Sequence, residues 1–170
     1  MHRLCLAPVF ALYACAATAS VDGDLPAAPA DGAILTVGGA IGCTNDGDEA
    51  VFDLAGLEQV GHSEIQTSTI WTEGEQVFEG VRLDTLLEAV CAEGNGLRAT
   101  ALNEYQVDIP LDAMMREGAL IAYRHNGEEM TLRDRGPVWI VFPWDQEPAY
   151  QTEDYYNRSV WQLERLDVIE

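Results

Sequence analysis

Asn126-Gly127 lies between two short runs of strand character, residues 119–124 and 129–132, and no other dipeptide constrains this chain as strongly. Asn-Gly readily occupies the two positive-φ positions of a type I′ turn, whose twist matches that of a two-stranded hairpin. The same grammar of short apolar run and turn continues on both sides. Residues 33–37, 64–69, 97–102 and 106–109 read as strands, and 138–142 is apolar enough to lie inside a sheet. Residues 160–169 close the chain as a strand with Val160, Leu163, Leu166 and Val168 facing inward. Helical spacing is rarer. Leu83, Leu86, Leu87 and Val90 place one apolar face on a helix over 82–91, stopped at Gly94-Asn95-Gly96. A helical turn starting near Asp53 over 52–57 and a short helix over 110–117 complete the pattern. The expectation is a single β-rich α+β domain.

The N-terminus reads as a targeting segment. Met1-His2-Arg3 is a basic start, residues 4–16 are apolar but too short to span a bilayer, and Ala17-Thr18-Ala19 offers a small-x-small cleavage site. Residues 1–19 are therefore expected to be a signal peptide and 20–32, rich in Ala, Pro, Asp and Gly, a flexible lead-in. That leaves 33–170 as one domain with its own core. The expected location is periplasmic or secreted. Leu12-Tyr13-Ala14-Cys15 offers the alternative of a lipoprotein anchored at Cys15.

All nine basic residues are arginine, against 29 acids, for a net charge of −20. Loss of Arg3 with the leader makes the balance more negative still. Nucleic acid is excluded as a partner, because binding its backbone takes clustered positive charge. Beyond the leader only Cys43 and Cys91 remain. Two cysteines so far apart make no recognisable metal site; in an oxidising compartment they either pair or stay as separate buried thiols. The acidic stretch 44–49 lacks the ligand at the last position of a calcium loop and reads as a solvated hairpin tip.

Several polar and aromatic residues stand beside the strands. Asn103 carries both donor and acceptor, suited to the edge of a heterocycle, with Tyr105 nearby; the plainer alternative is a turn at Asn103 and a strand aromatic at Tyr105. Arg133 and Arg135 flank Asp134 ahead of Gly136-Pro137, where they suit a planar anion or an internal ion pair. Trp139 alternates with apolar neighbours and belongs to the core, whereas Trp71 and Trp161 follow polar residues and could stack on a flat ligand. Residues 143–157 show no periodicity, carry three tyrosines, and read as a long loop over a site or toward a partner. His62 and His125 sit in turn-like contexts and read as solvated. No nucleophile elbow, phosphate loop or paired-histidine motif is present.

Taken in order, Ile34-Leu35-Thr36-Val37-Gly38-Gly39, Phe78-Glu79-Gly80-Val81-Arg82-Leu83-Asp84-Thr85-Leu86-Leu87, Ala101-Leu102-Asn103-Glu104-Tyr105, Gly136-Pro137-Val138-Trp139-Ile140-Val141-Phe142-Pro143 and Ser159-Val160-Trp161-Gln162-Leu163 resemble the sulfite-oxidase-type molybdopterin-binding domain. The resemblance implies that fold for nearly the whole chain past the leader. In the enzymes a cysteine just upstream of the segment matching Trp71 binds molybdenum; here that place falls in Thr67-Ser68-Thr69. A hydroxyl does not replace a thiolate toward such a metal. The chain thus looks like the small periplasmic members that keep the fold without the ligand. Some of those are similar to regulators that report pterin occupancy to a membrane-bound enzyme of cyclic-di-GMP metabolism. The resemblance implies a reduced pterin bound without metal, held by Thr67, Ser68, Thr69, Trp71, Asn103, Tyr105, Arg133, Arg135 and Trp161, and a membrane-anchored signalling partner. The alternatives are a molybdopterin oxidoreductase with no protein thiolate on the metal, and an interaction protein whose cleft has degenerated.

Overall fold

The computed structural model describes residues 25–170. The proposed signal peptide, and the lead-in as far as residue 24, lie outside the described residues. Two five-stranded sheets share one core. The first is ordered β2 (Ala50–Phe52), β1 (Leu35–Gly39), β10 (Leu163–Ile169), β5 (Gly96–Ala101) and β6 (Gln106–Pro110). Its β1–β10 pairing is parallel, so the first and last described strands lie side by side, and its other pairings are antiparallel. The second runs β3 (Ser63–Ser68), β4 (Glu75–Arg82), β7 (Leu120–His125) and β8 (Glu128–Glu129), with β9 (Trp139–Val141) also on β7. The single β-rich α+β domain expected from the patterning is what forms.

Local chemistry accounts for the short helices between the strands. Asp53 caps α1 (Leu54–Val60) by accepting a hydrogen bond from the Gly56 N–H at 2.7 Å. Asp112 does the same for α3 (Ala113–Gly118) through the Met115 N–H at 2.8 Å. In α2 (Leu83–Ala89) the predicted face is fully used: Leu83, Leu86, Leu87 and the following Val90 are all buried. Cys43 and Cys91 are disulfide-bonded with Cα atoms 5.2 Å apart, which ties the loop after β1 to the end of α2. Of the two alternatives open in the sequence, pairing is the one realised.

Five expectations need correction. β4 was not anticipated, because its burial is irregular and Gly80 interrupts it. Yet Gly80 is what lets β4 lie against β7: a Cβ there would stand 2.2 Å from the Ile121 carbonyl oxygen, at the register shift between Glu79 and Gly80. The Asn126-Gly127 hairpin forms with positive φ at both residues, but its second strand shrinks to the two residues of β8, followed by a 3₁₀ turn over Leu132–Asp134. The stretch 143–157 is not a structureless loop. It holds a 3₁₀ turn, Pro148–Tyr150, and α4 (Glu153–Arg158), pinned by buried Tyr150 and Tyr155 against Phe142. Nor is the described end of the lead-in loose, since Leu25 packs on the core and the Pro26 carbonyl accepts from Asn45 Nδ2 at 2.8 Å.

His125 is half-buried and not freely solvated. Its ring stacks on Phe78 at 4.8 Å, and Nε2 lies 2.7 Å from Gln76 Oε1. Burial, helped by the charge of Arg135 and opposed by Asp134, lowers its pKa. The acidic stretch 44–49 is a hairpin tip, bridged at Asp46 and Glu49.

Candidate functional site

One aromatic cleft of about 410 Å³ opens where the two sheets meet α4. Each wall comes from a different part of the chain: Ile70 and Trp71 follow β3, Asn103 and Tyr105 form the β5–β6 turn, Tyr156 projects from α4, and Trp161 precedes β10. An isolated bridge between Trp139 and Trp161 registers the last wall against β9. Beneath it, Trp139 Nε1 donates to Ser159 Oγ at 3.1 Å and that hydroxyl donates to the Ile140 carbonyl at 2.5 Å, satisfying a buried polar pair.

Trp71 is the hub of this cleft. Its ring meets those of Trp139, Trp144, Tyr156 and Trp161 edge-on, at 5.6–5.8 Å between centroids. Arg135 holds the same loop from behind, donating from Nη2 to the Trp71 carbonyl at 2.8 Å with its guanidinium 5.4 Å from the Trp139 ring centre. Trp71 and Trp161 stand 76° apart, so they do not form parallel plates around a ligand. Trp161, 38% exposed, presents the more open ring face, and Trp71 serves as the floor.

Asn103 makes the turn that the plainer sequence reading allowed: its Oδ1 accepts from the Tyr105 N–H at 3.1 Å. Its Nδ2 has no protein hydrogen-bond partner among the described residues, and the residue lines the cleft. Tyr105 donates its hydroxyl proton to the Asn157 carbonyl at 3.3 Å, closing the cleft between the β5–β6 turn and α4.

The sequence-derived residues therefore separate into three groups. Trp71, Asn103, Tyr105 and Trp161 gather at the cleft. Ser68 and Thr69 instead line an adjoining depression of about 190 Å³ with Trp144, Asp145 and Gln151, which meets the cleft at Ile70 and Tyr156. Thr67, Arg133 and Arg135 do not line the cleft. Thr67 is fully buried, its hydroxyl accepting from the Asp145 N–H at 3.1 Å, and Arg133 is exposed on the 3₁₀ turn. Tyr156 and Asn157 were missed as lining residues; acids following Thr152 are a helix-start signal that would have placed them on α4.

Asp145 shapes the depression. Its carboxylate accepts from the Ser68 N–H at 2.5 Å and from the Ser68 hydroxyl at 2.7 Å. Those bonds, the backbone one foremost, hold its pKa below the ordinary carboxylate range. Trp144 is buried beside it, and its Nε1 has no hydrogen-bond partner among the described residues.

Comparison with known proteins places this architecture. Residues 50–146 match the family model described as the oxidoreductase molybdopterin-binding domain. A curated relative, the "Uncharacterized oxidoreductase YuiH" of Bacillus subtilis (strain 168), is 32% identical over 83 residues, which are 48% of this chain and 42% of that protein. Among solved structures, the sulfane dehydrogenase SoxCD from Paracoccus pantotrophus superposes with a TM-score of 0.56 at 17% identity, over 79% of this chain and 37% of that one. That likeness concerns the fold. The chain spans less than half the length of either relative.

A molybdopterin-type cofactor fits these residues in part. The aromatic cleft and the Asn103 amide suit a pterin ring. The donor set for a metal does not match, because Thr67, Ser68 and Thr69 offer hydroxyls already engaged within the protein and the two described cysteines are joined to each other. No group of His, Cys, Asp and Glu that could hold a metal ion occurs among the described residues.

Proposed function

This chain belongs to the oxidoreductase molybdopterin-binding domain family, and from that premise we propose that its cleft receives the ring of a molybdopterin-type pterin. The observation that carries this reading is the convergence of Trp71, Tyr156 and Trp161 with the Asn103 amide, flat apolar surface beside one edge-reading group. Trp161 stacks on the ring, Asn103 Nδ2 donates to a ring carbonyl or nitrogen, and Trp71 sets the depth. Asp145, Ser68 and Thr67 hold the segment 143–158 in place so that Tyr156 completes the wall.

The family match favours an oxidoreductase domain over a pterin sensor. A bound molybdopterin would supply redox chemistry through a metal held on its own dithiolene. This chain's described residues add no thiolate to such a centre, so their part is to bind and orient the ring. The hydroxyls at Thr67, Ser68 and Thr69 favour a second reading, a metal-free pterin sensor that signals to a membrane-anchored partner. The Cys43–Cys91 bond supports an oxidising location, periplasmic or secreted, for either.

The test is the small-molecule and metal content of the protein purified from cells that make molybdopterin. About one pterin per chain is expected. Stoichiometric molybdenum with it selects the oxidoreductase, pterin without metal selects the sensor, and absence of both overturns the pterin reading.

A further inference from the structure

Six large apolar side chains are exposed among the described residues, and five of them gather at one end of the fold. Ile70, Tyr105 and Trp161 belong to the mouth of the cleft. Leu102 and Leu132 do not line it, yet they stand 45% and 59% exposed beside it. Gln162 lies between these two. The Leu102 N–H donates to its carbonyl at 2.9 Å, and its Nε2 donates to the Leu132 carbonyl at 2.8 Å. Leu102 also enters a second recess of about 360 Å³, which Ile34 and Pro137 wall on other sides. Apolar side chains exposed singly are ordinary, whereas a group of them beside an apolar recess marks a docking face.

Gln162 fixes this patch. It and Arg135 hold positive φ, 52° and 69°, where residues with side chains are uncommon, and the Gln162 N–H donates to the Arg135 carbonyl at 2.9 Å. The glutamine thereby brackets the β5–β6 turn against the 3₁₀ turn, with a leucine on each. A platform already formed loses little entropy when a partner settles on it.

Charge narrows the partner. Glu104 and Glu164 are exposed beside the patch and make no ion pair among the described residues. Arg165 lines the second recess but is held by Glu49 and Asp167, two carboxylates for one guanidinium. Arg133 adjoins Asp134 on the 3₁₀ turn, and Arg135 keeps its charge on the cleft side, against the Trp71 carbonyl. Glu49, Glu104, Asp134, Glu164 and Asp167 thus outweigh these three arginines. The local balance is negative, like that of the whole chain at −20.

We propose that this patch docks a protein partner through an apolar segment flanked by lysine or arginine. The partner's apolar side chains cover Leu102 and Leu132 and enter the recess, and its basic residues meet Glu104 and Glu164. The proposal stands on this surface alone and holds whichever ligand the cleft takes. Because Leu102 adjoins Asn103 and Gln162 adjoins Trp161, the docked segment borders the cleft.

The experiment places a photo-reactive benzoylphenylalanine at position 132 of the full chain in its own cells and identifies the cross-linked peptide by mass spectrometry. The same group at position 59, where Gln59 is exposed on α1, is the control. The expected product forms from position 132 and not from the control. It joins a different protein, through a segment with apolar residues beside lysine or arginine. Glu104→Lys/Glu164→Lys leaves both leucines in place and is expected to cut the yield about tenfold by reversing the local field. Cross-linking to a second copy, within the same chain, to lipid, or to an acidic or uncharged segment overturns the proposal. So does the absence of any product from a folded protein. An undiminished yield in the charge-reversed variant also counts against it.

Discussion

Asp145 and Ser68, 77 residues apart in sequence, are bound by both the backbone and the side chain of the serine. The pair joins the end of β3 to the segment that carries α4, and therefore joins two walls of the cleft.

That relationship has a signed pH dependence. The Ser68 N–H, then the Ser68 hydroxyl, lower the Asp145 pKa, outweighing a small opposing effect of burial. A carboxylate whose folded pKa lies below its unfolded one stabilises above the unfolded value and loses that contribution as pH falls through the folded value. The melting-temperature gap between wild type and Asp145→Asn is thus full at pH 7 and closes on acidification below about 4. A gap that is flat or widens below that point contradicts the assignment.

Trp71→Ala should destabilise by about 3 kcal/mol, the low end for deletion of a large aromatic, because the ring is only half-buried. Trp161→Ala, at an exposed position, should cost far less. Urea denaturation of the two variants checks the order, and equal losses would mean that Trp71 is not the hub.

Gly80→Ala tests the close approach of β4 to β7. The added methyl meets the Ile121 backbone at 2.2 Å, so the sheet must shift. Overpacking of this kind costs about 1–3 kcal/mol or more. Thermal melting within a degree of wild type would refute the contact.

Reduction of Cys43–Cys91 frees a loop with a sequence separation of 48, for which chain entropy predicts a loss of about 4 kcal/mol. Denaturant midpoints with and without reductant, and in the Cys43→Ser/Cys91→Ser double variant, should fall together. A reduced protein as stable as the oxidised one contradicts the expectation.

The legible parts of this chain were those written in local chemistry. Asn126-Gly127 announced its turn, Asp53 its helix, and Leu83, Leu86, Leu87 and Val90 their buried face. β4 was hidden because its place depends on a non-local contact, the backbone of Ile121 against Gly80, which leaves no period in the sequence. At the site, Trp71, Asn103, Tyr105 and Trp161 stood out as polar or aromatic residues at strand ends. Thr67 looked the same, but its hydroxyl faces a backbone N–H from 78 residues away, and only the fold reveals that it is structural. Tyr156 was obscured for the converse reason, since it sits on a short helix whose buried anchors, Tyr150 and Tyr155, form no helical stripe.

The central claim is that a pterin ring stacks on Trp161 in this cleft. Calorimetric titration of wild type and Trp161→Ala with an unphosphorylated reduced pterin tests it most directly. The account predicts saturable one-to-one binding to wild type and affinity weaker by about tenfold or more in the variant, since one stacking contact is worth about 1–3 kcal/mol, with little change in melting temperature. Equal affinity in the two proteins, or no binding to wild type, would contradict it.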